Sequence, residues 1–191
     1  MQVIPDNYTL DEYWRMLETF PDHKYEYVHG DIRMMTGGTL AHAQIGQNIG
    51  ALLWFALRGS DCRVYNSDAV VKLANDLCYC PDASISCDPA DWTRKVMESP
   101  TVVVEVMSQY TQKTDQTEKL EAYKFFPTIL EILLVDFRRR YVEHYHRVNM
   151  HQWENYVYVN DDDKVHLSSI DVVLAVSDIY LEAYLELEEE P

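Results

Sequence analysis

Two carboxylates stand in runs that otherwise read as buried strand. Asp82 lies in CYCPDASISC, residues 78–87, and Glu105 in PTVVVEVMSQYT, residues 100–111. Side chains alternate along a strand. Asp82 then shares a face with Ser84 and Ser86, and Glu105 shares one with Val103 and Met107. Should the two strands pair, the acids meet at one point. Two carboxylates buried together are costly unless a cation offsets their charge. Mg²⁺ takes one or two carboxylates and completes its shell with water or phosphate oxygens. A metal so held acidifies a bound water and takes up charge on a scissile phosphate, the chemistry of phosphodiester hydrolysis. For either acid alone the better reading is a strand end, wet or salt-bridged. Pro81 weakens that reading at Asp82, because it fixes the backbone where the acid emerges.

A hydrolytic site of this kind also needs a positive side chain, to orient the attacking water or to steady developing charge. The position two residues after Glu105 holds Met107, so the lysine must come from elsewhere. Gln112, Asp115, Lys119 and Tyr123 recur at spacings of three or four on the next helical segment, TQKTDQTEKLEAYKFF. That spacing makes one stripe, which can face the acids because the segment follows the Glu105 strand directly. The plainer alternative is an exposed Asp115–Lys119 pair, worth a few tenths of a kcal/mol.

The elements that must position these groups follow from periodicity. Thr9 caps a first helix, LDEYWRML. KYEYVHGDIRMMT reads as a two-stranded hairpin turning at Gly30-Asp31. Ile45, Ile49, Leu52, Leu53 and Ala56 mark a long amphipathic helix that ends at Gly59. CRVYN, DAVVKLA, LCYCPDASISC and TVVVEVM read as strands, and the lysine-bearing helix ends before Pro127. TILEILLVD is a central apolar strand, followed by RYVEHYHRV, QWENYVYV, KVHLSSI and VVLAV, then a closing helix SDIYLEAYLEL. The order implies an α/β (α+β) layer architecture: a central mixed β-sheet flanked by helices, with an N-terminal β-hairpin.

The chain has 191 residues, no repeat and no compositional break, so residues 1–191 read as a single domain with an acidic tail at about 186–191. No apolar run reaches the length of a membrane span. MQVIPDNYTLDEYW has no basic region ahead of an apolar stretch, so no signal peptide is expected and the cytoplasm is the default. On that ground Cys62, Cys78, Cys80 and Cys87 are expected as free thiols, and C-x-C at 78–80 as strand cysteines rather than a zinc site. The net charge of −16 repels nucleic acid at long range, which any DNA-directed reading must answer. Arg138, Arg139 and Arg140 form a basic run able to touch phosphates, though such runs are more often solvated turns. His144 and His146 share a strand face but have no third ligand in sequence reach, and read as surface histidines.

The motifs together carry a resemblance. Pro81-Asp82, then VVVEVMS at 102–108, D-x-x-x-K-x-x-x-Y at 115–123 and EILLVD at 131–136 resemble the Uma-two family, a bacterial group assigned to the PD-(D/E)XK nuclease superfamily. YEYVHGDIRMMTG is similar to that family's hairpin, and His42 and Asn48 fall in a helix where the family shows a similar pair. The resemblance covers about residues 9–185. It implies a restriction-endonuclease-like fold, with Asp82 and Glu105 as metal-binding acids, Lys119 as a displaced catalytic lysine and Glu26 as a further metal or water ligand. Asp68 is a weaker candidate from a neighbouring strand, and His42 reads more readily as a packed histidine. Ser108-Gln109-Tyr110-Thr111 and Ile129-Leu130-Glu131-Ile132 depart from the family pattern and bear on loop geometry rather than on the acids.

The leading expectation is a Mg²⁺-dependent endonuclease, with Mn²⁺ as a substitute, acting on DNA and not on a membrane. The alternative is a non-catalytic interaction module, dimeric or not, that keeps the nuclease fold with its acids merely structural. Whether the chain forms a homodimer stays open.

Overall fold

The computed structural model describes residues 7–35, 37–107 and 115–185. Helix α1, Leu10–Thr19, starts in a capping box: Thr9 accepts from the Glu12 amide, and Glu12 accepts from the Thr9 amide at 2.7 Å. Strands β1 (Tyr25–Val28) and β2 (Asp31–Met34) form the hairpin. Its turn residues are His29 and Gly30, one step earlier than expected, because Val28 pairs with Asp31. Both have positive φ, 50° and 96°, the type I′ geometry whose twist suits a two-residue hairpin. Helix α2 runs Leu40–Ala56 from the cap Thr39.

Three strands follow: β3 (Arg63–Asn66), β4 (Val71–Ala74) and β5 (Leu77–Tyr79). The run expected as one strand over 77–87 is broken. β5 pairs with β1 and β4, whereas β6, Ala83–Ser86, pairs with β3 and β7 in a different sheet. The break falls at Pro81, which has no N–H for a ladder and restricts the residue before it. A short 3₁₀ turn, Pro89–Thr93, leads to β7, Val102–Met107.

β8 (Glu131–Asp136), β9 (Val142–Asn149) and β10 (Gln152–Tyr158) complete a six-stranded sheet in the order β10-β9-β8-β7-β6-β3. The four-stranded sheet is β2-β1-β5-β4. β7 and β8 are parallel. A parallel pair needs a crossover, and this one carries a π-helical turn, Asp115–Lys119, running into α3, Leu120–Phe125. Gln112 and the side chain of Asp115 lie outside the described residues, as do Ser108 to Thr111. The chain closes with the hairpin β11 (Lys164–Leu167) and β12 (Val172–Ala175), then α4, Val176–Ile179. The expected closing helix is therefore one short turn, followed by Glu182 at a φ of 57°.

β7 is buried on both faces, and its alternation sorts the core. Val102, Val104 and Val106 pack with Ile45, Ile49 and Leu53 of α2 and with Val165 and Leu174 of the last hairpin. Val103 and Met107 pack on the other face with Val28, Tyr79, Leu120 and Tyr123. Each such side chain contributes about 1.5–3 kcal/mol by leaving water. Glu105 interrupts the second face. The mixed sheet with helices on both sides agrees with the architecture expected from the sequence. Among the described residues no helix is long and apolar enough to cross a membrane.

Cys62 and Cys87 are joined by a disulfide, which corrects the expectation of four free thiols. Arg63 pairs with Ser86, so the next pair outward in this antiparallel ladder sets the two cysteines face to face. Cys78 and Cys80 are free and buried. Burial pushes both thiols up to about 12, so neither is a thiolate at neutral pH.

Candidate active site

The β6–β7 ladder pairs Ala83 with Val104. Continued by one pair, it sets Asp82 opposite Glu105. The Asp82 carboxylate turns onto the β7 backbone, where Oδ2 accepts from the Val106 amide at 2.7 Å. β6 begins one residue later, at Ala83, and here a side chain serves as the acceptor for the β7 amide. His42 Nε2 lies 3.4 Å from the same oxygen. It stands in the first turn of α2, where Thr39 accepts from its amide at 3.2 Å. Gly38 lets the imidazole fold back, since a Cβ there would sit 2.7 Å from His42 Cγ.

Lys119 comes from the crossover. Its ammonium is 2.8 Å from Glu26 Oε1 and 3.2 Å from Glu105 Oε1. Lys119 and Glu105 are each 3% exposed. Glu26, also buried, accepts from the Cys80 amide at 3.2 Å. One turn on, Tyr123 donates to Glu105 Oε1 at 2.6 Å. The Tyr79 ring centroid is 5.4 Å from the ammonium, and Tyr79 meets Tyr123 edge-on at 5.7 Å. Next to Lys119, Glu118 receives Arg33 of β2 at 2.6 Å and the Tyr79 hydroxyl at 3.2 Å. These contacts clamp the π-helical turn against the four-stranded sheet. Such turns concentrate at functional positions because the extra residue re-aims a side chain.

Asp82, Glu105, Lys119 and His42 line one cleft of about 1010 Å³ between α2 and the sheet. The structure thus brings together the three groups that the sequence singled out. Glu26 stands behind Lys119 and is not among the residues lining the cleft. Asp68 does not join them. It is exposed in the β3–β4 turn and pairs with Lys24 at 2.8 Å, and the Lys24 bond holds its carboxyl below the ordinary value. Asn48 donates to the carbonyls of Ile179 and Leu181, tying α2 to the last turn.

The other constellations are structural pairs. Arg138 and Arg139 meet buried Asp136, and Arg140 meets Asp161. His144 Nε2 lies 3.0 Å from Glu131 Oε2, and His146 Nδ1 lies 3.5 Å from Glu131 Oε1, a partner on the neighbouring strand that no local motif reveals. Among the described residues no group of three His, Cys, Asp or Glu is arranged to hold a metal ion. Asp82 and Glu105 offer instead the two hard oxygen ligands that Mg²⁺ accepts when water or phosphate supplies the rest. Sequence reasoning missed Tyr79 and Arg33, which long-range pairing alone brings to this turn, and Glu118, whose role rests on those two partners.

Comparisons with known proteins bear on the family and the fold. The model of the Uma2 family, described as "Putative restriction endonuclease", matches residues 10–177. "Uncharacterized protein slr1290" of Synechocystis sp. is 34% identical over 159 residues, 82% of this chain and 83% of the relative. "Uncharacterized protein sll1609" of the same organism is 26% identical over 134 residues, 68% of this chain and 76% of the relative. A crystal structure of "a putative nuclease belonging to DUF820" from Anabaena variabilis superposes with a TM-score of 0.73 at 20% identity, over 90% of this chain and 97% of that one. The last comparison speaks to the fold.

Proposed function

The chain belongs to the Uma2 family of restriction-endonuclease-like proteins, and from that premise we propose that it is a metal-dependent endonuclease hydrolysing DNA phosphodiester bonds. The observation that carries this reading is Lys119 held beside Glu105, with Asp82 on the same cleft wall. Asp82 and Glu105 would hold Mg²⁺, or Mn²⁺ in its place. When bound, the cation would supply an acidified water and a counter-charge for the scissile phosphate.

The remaining roles belong to the chain. Glu26 anchors the Lys119 ammonium from behind, so that its charge faces the cleft. There Lys119 steadies negative charge growing on the phosphate oxygens. Tyr123 fixes the Glu105 carboxylate in one orientation through Oε1. The Val106 amide does the same for Asp82. His42, beside Asp82, is placed to exchange a proton with water or a leaving oxygen.

The test is incubation of the purified chain with plasmid and single-stranded circular DNA in Mg²⁺ or Mn²⁺, repeated with Glu105→Ala. Cleavage that depends on metal and on Glu105 supports the reading; cleavage that survives the substitution comes from elsewhere. A second reading has its own observation. Lys119 and Tyr123 both engage Glu105 Oε1, an arrangement that a purely structural ion network also uses. Calorimetric titration with Mn²⁺ separates the two, since a non-catalytic module would show no binding at millimolar metal.

A further inference from the structure

The cleft has a second wall, which the hydrolytic chemistry does not use. α2 supplies it through Ala43, Gly46, Gln47, Gly50 and Trp54. Two of these are glycines inside a helix, where glycine is less stable than alanine. Packing does not ask for them: a Cβ built at Gly46 or Gly50 meets nothing within 4 Å. Their effect is to leave helix backbone bare toward the cleft. Trp54 ends this wall 59% exposed, an indole held in water at the mouth of the cleft. The Arg58 guanidinium lies 6.0 Å from its ring centroid, a cation next to a flat aromatic face. Tyr65 and Lys24 line the opposite side. Glu105 and Lys119, both almost fully buried, form the floor.

Charge indicates which form of nucleic acid fits. A duplex presents dense phosphates to a broad basic face, and a chain of net charge −16 is poorly suited to supply one. An unpaired base gains about 1–3 kcal/mol by stacking on an aromatic ring, a contribution that needs local cations such as Arg58 and Lys24 for its phosphates but no broad basic face. A cleft of about 1010 Å³ also matches a short oligomer rather than a double helix. We propose that the α2 wall seats a single-stranded DNA segment. The strand backbone runs over Gly46 and Gly50, one base stacks on Trp54, and a neighbouring phosphate meets Arg58. This rests on the nuclease reading for the class of ligand and adds its strandedness and its track.

The experiment is fluorescence anisotropy of the full chain with a labelled oligothymidylate of about eight nucleotides, in Ca²⁺ to hold back cleavage. A duplex of the same length serves as competitor. The single strand is expected to bind at least about tenfold more tightly than the duplex, and Trp54→Ala to weaken it about tenfold. Gly50→Leu should fill the track, leave the melting temperature equal or higher, and weaken the strand at least as much. Equal affinity for strand and duplex, or binding unmoved by both substitutions, overturns the proposal. Cleavage by the wild type, measured separately in Mg²⁺, keeps the two readings apart. Trp54-dependent binding with no cleavage by the wild type would sink the nuclease reading alone. Cleavage with Trp54-independent binding would sink the track alone.

Discussion

The Tyr123 hydroxyl donates to Glu105 Oε1 at 2.6 Å with both side chains buried. A charge-assisted bond of this kind contributes about 1.5–3 kcal/mol. Tyr123→Phe keeps the ring and its edge contact with Tyr79 while deleting the donor. The variant should unfold about 1.5 kcal/mol more easily, a fall of about 3–6 °C in melting temperature for a chain this size. Its cleavage rate should drop about tenfold, since Glu105 loses one of the groups that hold it still. An unchanged melting temperature would mean that the bond is not made in solution.

Lys119 is the cation between Glu26 and Glu105. Lys119→Met leaves two buried carboxylates without it, and breaking a buried pair from one side costs about 3–5 kcal/mol. Glu26→Gln in the same chain should restore part of that loss, because one uncompensated charge disappears. A double-mutant cycle by urea denaturation reads the coupling directly. Strictly additive losses would show that Glu26 does not anchor the lysine.

Glu131 sets a pH dependence away from the cleft. It is fully buried and accepts from His144 Nε2 at 3.0 Å and from the Ser169 amide at 2.7 Å. Burial pushes its carboxyl up, but the His144 bond and the Ser169 amide outweigh burial and hold it below the ordinary value. A depressed folded value stabilises the protein above the unfolded pKa, about 4.3, and that stabilisation is lost as pH falls through the folded value. Glu131→Gln should therefore be less stable than the wild type at pH ~7, with the gap closing below pH ~4. Urea midpoints across that range check it. A gap that persists undiminished into acid would assign the loss to packing.

The legible part of this site was its local part. Alternation put Glu105 on the face of Val103 and Met107, and helical spacing joined Lys119 to Tyr123; the structure keeps both relations. What was illegible depends on pairing between distant segments. Nothing near residue 80 says that the chain changes sheets at Pro81, because apolar strand residues lie on both sides of it. Arg33 and Glu118 meet across 85 residues, and neither carries a local signature of the other. The histidines of β9 read as surface residues because their partner, Glu131, sits on the neighbouring strand.

The cysteines follow the same logic and give the last prediction. Their count of four allows several pairings, and only the β3–β6 register selects Cys62 with Cys87. A bridge closing a separation of 25 residues stabilises by about 3–4 kcal/mol in the chain-entropy account. Denatured, unreduced protein should titrate two thiols, those of Cys78 and Cys80. Reductant should lower stability by about 3 kcal/mol, and Cys62→Ser should do the same and make reductant inert. Cleavage per folded molecule should not change, because the bridge touches none of the groups around Lys119 and the two remaining thiols stay protonated. Four titratable thiols in the unreduced protein would remove the bridge and with it the predicted response to reductant.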